Sequence, residues 1–193
     1  MISNPIKIAL FVFDDVELLD FAGPLEVFSA VELLGIHPVE INLIAKNLPT
    51  VTSVNGLIFQ ANHKLHDSFK TDLFIVPGGV GTKIVCKQKE TLDLIKNWHH
   101  STKKTFSVCT GARILAHCNL LSGLEVTTHH TALEELQKLV PNAMVYGDRK
   151  FIDNEKIITA AGVSSGIEAS LYLVEKFFGK DAREKVVRYI EWE

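Results

Sequence analysis

Apolar and polar positions follow two rhythms along this chain, and the switches between them mark out strands and helices. Residues 7–13 are a near-continuous apolar run, as expected of a strand buried on both faces of a parallel sheet. Gly23 and Pro24 then open a helix to about residue 34, with Pro24 suited to a first helical position. Residues 39–45 read as a second strand, and 51–61 as a hairpin turning at Asn55-Gly56. Residues 73–76 form another apolar strand, closed by Pro77-Gly78-Gly79. An amphipathic helix over 92–100 precedes a strand over 105–108 and a helix over 112–117. A short strand over 125–128 and a helix over 131–139 lead to a strand pair near 144–146 and 151–152. The last strand covers 156–161, and Ser165 with Glu168 makes a capping box for a helix to residue 178.

This alternation predicts an α/β fold, a doubly wound and mostly parallel sheet sandwiched by helices. No repeat, linker or low-complexity stretch interrupts it. A length of 193 residues suits one domain, 1–193, able to bury roughly 70% of its unfolded-chain surface. Ligands of such sheets sit outside the carboxyl ends of the strands. That rule gathers residues 14–24, 77–81 and 109–111 onto one edge.

Chemistry follows from that convergence. Cys109 ends a strand, and Gly111 lets the backbone turn before a helix begins. A side chain at such a turn stands above the sheet, where free helix N–H groups favour the thiolate and stabilise an anion formed by its attack. A buried core cysteine explains the same residue equally well. Pro77-Gly78-Gly79 exposes backbone N–H groups that, with the amide of Thr110, could form an anion-stabilising hole, or it is simply a tight turn. Asp20 lies between apolar neighbours just before a helix. Helix capping would account for it, but facing Cys109 its pKa would rise and it could act as a general acid or base. Asp14, Asp15 and Glu17 are expected to be solvated loop acids. His129 and His130 point to opposite sides of an extended chain, so only one could reach Cys109 as a base or hydrogen-bond partner; helix entry is the competing role for His129.

Composition narrows the classes. Hydrophobic content of 47% with 22% charged residues is ordinary for a soluble globular protein. A net charge of −3 without a Lys/Arg stripe gives no reason to expect nucleic acid. No apolar run reaches the ~18 residues of a bilayer span, and the N-terminus lacks a cleavable signal pattern. Cys86, Cys109 and Cys118 form neither a Cys-x-x-Cys pair nor an even framework, which suits a reducing cytoplasm. His63-x-x-His66 is a weak metal pair, and neither a phosphate loop nor a nicotinamide fingerprint is present.

The stretches LFVFDDVELLDFAGPLEVF, DLFIVPGG, FSVCTGARILAHCNLLSG, TTHH and ITAAGVSSGIEASLYLVEKFFG, in this order, resemble the ThiJ/PfpI superfamily, of class I glutamine amidotransferase-like, flavodoxin-like fold. The resemblance is closest to its isocyanide hydratase members. It implies a homodimer without a cofactor, acting on a small molecule. Cys109 would attack the terminal carbon of an isocyanide, and the thioimidate would hydrolyse to an N-substituted formamide. Asp20 matches the acid/base residue and Thr110 the threonine after the nucleophile, while Gly78, Gly79, Val80 and His129 fall at substrate-facing positions. Protease-like members carry histidine where this chain has Thr110, which argues against a peptidase. Other members carry glutamate in place of Asp20, which favours a hydratase over a deglycase or glyoxalase. The chain ends at Glu193, leaving no room for the helix-turn-helix module of related regulators, and sooner than hydratases usually end. A non-catalytic stress or redox sensor, using an oxidisable Cys109, is the alternative of a different class.

Overall fold

The computed structural model describes residues 4–47, 50–67 and 69–192. In chain order the elements are β1 (Ile6–Phe11), α1 (Leu18–Leu33), β2 (Val39–Ala45), β3 (Thr50–Thr52), β4 (Ile58–Gln60), β5 (His63–Lys64) and β6 (Leu73–Val76). They continue with α2 (Thr82–Val85), α3 (Lys89–Ser101), β7 (Lys104–Val108), α4 (Gly111–His117) and β8 (Glu125–Val126). A 3₁₀ turn at His130–Ala132 leads into α5 (Leu133–Leu139). Then come β9 (Met144–Val145), β10 (Phe151–Asn154), β11 (Ile157–Ala160), α6 (Ser165–Phe178) and α7 (Lys180–Tyr189).

Seven strands make the central sheet, in the order β10-β11-β7-β6-β1-β2-β5. Every pair is parallel except β10 with β11. The apolar runs explain this layout, because β6 and β11 are buried at every position and Ile8, Leu10, Phe74, Ile75 and Phe106 are fully enclosed. The chain moves one way from β1 to β2 and the other way from β6 to β7, so right-handed crossovers place their helices on opposite faces. Accordingly α1, α6 and α7 pack together, while α4 packs against α2 and α5. The direction reverses between β1 and β6, and that switch point is where the segments following β1, β6 and β7 meet.

Several sequence expectations change. Helix α1 begins at Leu18, six residues before Pro24, so Pro24 sits inside the helix, where it cannot donate to the Asp20 carbonyl. Asp20 therefore lies in the first turn rather than at the cap; the capping position is Glu17, whose side chain makes no capping bond. The pair near 144–146 and 151–152 does not form. Instead β9 pairs with β8 in parallel, and β10 joins β11. Ser165 is the first residue of α6 and makes no capping box; Glu168 instead pairs with Lys150 Nζ at 3.2 Å. Helix α7, amphipathic and charged, adds an element beyond those that the pattern predicts.

Candidate active site

Cys109 follows β7 with φ 55°, a left-handed conformation uncommon for a residue with a side chain. Its amide donates to the carbonyls of both Ala160 and Ala161, at 3.1 and 3.0 Å, and its carbonyl accepts from Thr128 Oγ1 at 2.7 Å. The elbow is thus clamped from β11 and from the segment after β8. The sharp turn resides in Cys109 itself. Gly111 serves a different need: a Cβ there would collide with the Val76 carbonyl oxygen.

Asp20 is completely buried, and its Oδ2 accepts the Gly78 N–H at 2.9 Å. Its Oδ1 is buried without a hydrogen-bond partner of full geometry among the described residues. Burial pushes the carboxyl up to about 7, with the nearby Glu17 charge adding to the rise. The Gly78 amide, the Cys109 side chain and the Val163 amide pull the other way. Capping is therefore not what Asp20 does; it is held across the switch point by the turn after β6.

Cys109 is 6% exposed, and burial together with the Asp20 charge pushes its thiol up to about 12. The Thr110 and Val163 amides oppose this without reversing it. Burial thus works against the standing thiolate expected from the helix N-terminus, and above about pH 7 the Cys109–Asp20 pair keeps one proton between them.

The glycine turn is also engaged differently than expected. The Gly78 N–H is committed to Asp20, and the Gly79 N–H donates to Thr110 Oγ1 at 3.0 Å. These amides position the acid and the threonine rather than forming an open anion hole. A Cβ on Gly78 would fall 2.5 Å from the Thr110 amide nitrogen and 2.8 Å from Asp20 Oδ2, so only glycine fits. Val80 is 60% exposed.

His129 is half-buried at the entry to the 3₁₀ turn. Its Nδ1 accepts the Thr131 N–H at 3.4 Å and pairs with Thr131 Oγ1 at 2.8 Å. The helix-entry role holds, and the ring edge also lies against Gly162, where a Cβ would collide with Cδ2. Burial and His130 hold its pKa below the ordinary value, with Glu17 opposing. His129 and His130 do not diverge: their rings are 4.2 Å apart, because the chain turns at His130 rather than staying extended.

Three further residues that sequence reasoning passes over, Val163, Thr82 and Arg113, meet here with Glu17, which was expected to be a solvated loop acid. Glu17 is half-buried rather than solvated, donates its N–H to the Gly78 carbonyl at 3.0 Å and acts on both Asp20 and His129. Val163, with φ 45°, turns its amide toward Cys109 and Asp20. Thr82 is fully buried, and Arg113 is 7% exposed. Arg113 binds Glu135 through Nε–Oε1 at 2.7 Å and Nη2–Oε2 at 2.6 Å, and donates from Nη1 to Thr82 Oγ1 at 2.5 Å. A lone arginine in the otherwise apolar start of α4 is the available signal. No group of His, Cys, Asp and Glu among the described residues could hold a metal ion, and no described helix is long and apolar enough to cross a membrane.

Comparison with known proteins matches residues 6–176 to the model of the DJ-1/PfpI family. The chain belongs to the DJ-1/PfpI family. It is 30% identical to the isonitrile hydratase of Pseudomonas putida over 187 residues, 97% of this chain and 78% of that protein. It is 21% identical to the glutathione-independent glyoxalase DJ-1 of Schizosaccharomyces pombe, across 95% of this chain and 97% of that one. Among solved structures, a ThiJ/PfpI family protein from Pseudomonas syringae superposes with TM-score 0.89 at 24% identity, covering 100% of this chain and 77% of that one. The flavodoxin-like parallel sheet is thus the fold of the DJ-1/PfpI family. Its members carry different activities, so the chemistry must be argued from the site.

Proposed function

We propose that this family member is a cysteine-dependent hydratase converting an isonitrile, R–N≡C, to the N-substituted formamide. The observation that carries the reading is the buried Asp20 carboxyl, held by the Gly78 amide against the thiol of Cys109. The 30% identity with an isonitrile hydratase supports the substrate class.

The two groups differ in proton affinity, about 7 against about 12, so above pH 7 they share one proton and the carboxylate is a ready base. As Cys109 sulfur bonds to the terminal carbon, Asp20 takes the thiol proton and delivers it to that carbon, giving the thioimidate R–N=CH–S. Water then adds across the C=N bond, its hydroxyl to carbon and its proton to nitrogen by way of Asp20. Collapse of R–NH–CH(OH)–S forms the carbonyl, breaks the C–S bond and returns the hydroxyl proton to sulfur. The sum is R–NC plus water to R–NHCHO, with the enzyme restored and no cofactor required.

Thr110 is the hydrogen-bonding partner of the substrate nitrogen, and Gly78, Gly79, Val80 and His129 border the substrate. The same reading makes the chain one ThiJ/PfpI-type domain working as a homodimer in a reducing cytoplasm. A redox sensor draws no support from a thiol held near 12, since the thiolate is the oxidisable form. The test is turnover of simple alkyl and aryl isonitriles, followed as formamide. Wild-type protein should convert at least one of them, and Cys109→Ala and Asp20→Asn should not; failure of the wild type across the series rejects the assignment.

A further inference from the structure

A charged side chain reaches the Gly79 turn from behind, through a line of hydrogen bonds whose direction is fixed. Arg113 has only donors, so Thr82 Oγ1 must accept at 2.5 Å. The single hydroxyl proton of Thr82 therefore goes onward, to the Gly79 carbonyl at 2.7 Å. That carbonyl is also the acceptor for Thr110 Oγ1, at a longer 3.2 Å. The Glu135 carboxylate keeps the guanidinium in place from α5, so α5, α4 and α2 all bear on one peptide carbonyl.

Charge assistance strengthens the Thr82 bond at the expense of the weaker one. With Gly79 O served by Thr82, the Thr110 proton is held only at 3.2 Å and can turn to another acceptor. Thr110 Oγ1 stays fixed meanwhile, because it still accepts the Gly79 N–H at 3.0 Å. Gly78, whose amide steadies Asp20, is the neighbouring residue in the same turn.

We propose that Arg113 is a positioning residue which, through Thr82, occupies the Gly79 carbonyl, freeing the Thr110 hydroxyl to donate a hydrogen bond to substrate nitrogen and pinning the turn that holds Asp20. The substrate half of this statement rests on the hydratase reading; the half concerning Asp20 does not. No proton is transferred by Thr110, so the reaction balance given above is unchanged.

The test uses Thr82→Val, which keeps the shape and loses the hydroxyl, and Arg113→Met, alone and combined, with Thr82→Ser and Arg113→Lys as rescues. With an aryl isonitrile, kcat should fall about 10-fold or more in each single variant while KM stays within about twofold. The double variant should lose no more than the worse single one, since both act along one line. Alkylation of Cys109 by iodoacetamide, which needs no isonitrile, should show its midpoint near pH 7 displaced upward in both variants, because a loosened Gly78 amide no longer lowers Asp20. Thr82→Ser should restore both readouts. A merely structural role would lower the unfolding temperature with kcat and the alkylation midpoint unmoved, or would give additive losses, and either result overturns the proposal. If wild-type protein turns over no isonitrile, a displaced midpoint still upholds the positioning of Asp20 and rejects only the substrate; an unmoved midpoint rejects the positioning.

Discussion

Asp20 and Gly78, 58 positions apart in the chain, are joined by a hydrogen bond of 2.9 Å from the Gly78 amide to the buried Oδ2. This one contact sets where the acid stands and how strongly it binds its proton.

Activity should rise with pH through about 7 and then stay level. Below that value both Asp20 and Cys109 are protonated and no base is available; above it the pair has lost one proton, and the second leaves only near 12. Rates of isonitrile turnover and of Cys109 alkylation, measured from pH 5 to 9, check this. A rate independent of pH across 7 contradicts it.

Asp20→Asn should lower turnover by roughly 10²-fold or more, the usual contribution of a positioned acid–base group. It should also make Cys109 more acidic, because the carboxylate that holds the thiol up is gone. Thiolate absorbance during a pH titration of the variant reads this directly, and an unchanged or higher thiol pKa would refute it.

The same substitution should stabilise the fold. An Asp20 held near 7 instead of 3.8 contributes stability below about pH 4, which is lost as pH rises toward 7, at a cost of order 4 kcal/mol above it. The uncharged asparagine side chain would not carry that cost. The variant should therefore melt higher than wild type at pH 8, and the advantage should shrink by more than half at pH 5. Thermal unfolding at the two pH values decides it; a lower melting point at pH 8 sinks the idea.

Gly78→Ala should inactivate the protein even though alanine is the smallest possible addition. The new methyl would press on the Thr110 amide at 2.5 Å and on Asp20 Oδ2 at 2.8 Å, both fixed groups. The expected loss of stability is about 1–3 kcal/mol, by denaturant unfolding, with turnover lost beyond what unfolding explains.

Peroxide should not single out Cys109. Its thiol, pushed to about 12, is no more acidic than Cys86 at about 11 or Cys118 at about 12. Peptide mass analysis after mild oxidation should find Cys109 modified no faster than Cys86. Selective sulfinate at Cys109 would revive a sensing role.

The positions of the strands along the chain were legible because burial on both faces leaves unbroken apolar runs, and β2 and β6 fall where the runs at 39–45 and 73–76 lie. The meeting of Cys109, Asp20 and the Gly78 turn followed from the same sheet rule. The internal placement of Pro24 was hidden, since proline marks a helix start far more often than a helix middle. The proton affinity of Cys109 was also hidden, because it depends on desolvation and on an acid distant in sequence. Whether Gly78 and Gly79 offer free amides or occupied ones turns on partners that no local pattern names. Arg113 was visible as an oddity in GARILAH, but its role required Thr82 and Glu135 to be brought in by folding.

The clamp on the Cys109 backbone bears on what can be made to react with it. With its amide shared between Ala160 and Ala161 and its carbonyl tied to Thr128, the elbow has no slack to carry sulfur outward toward a bulky reagent. An electrophile must instead travel inward to a nearly enclosed atom, so slim, linear warheads such as alkynes or nitriles should label this cysteine where branched maleimides of equal intrinsic reactivity stall at the surface. Selective covalent probes for the protein should be sought by head-group width before chemical strength.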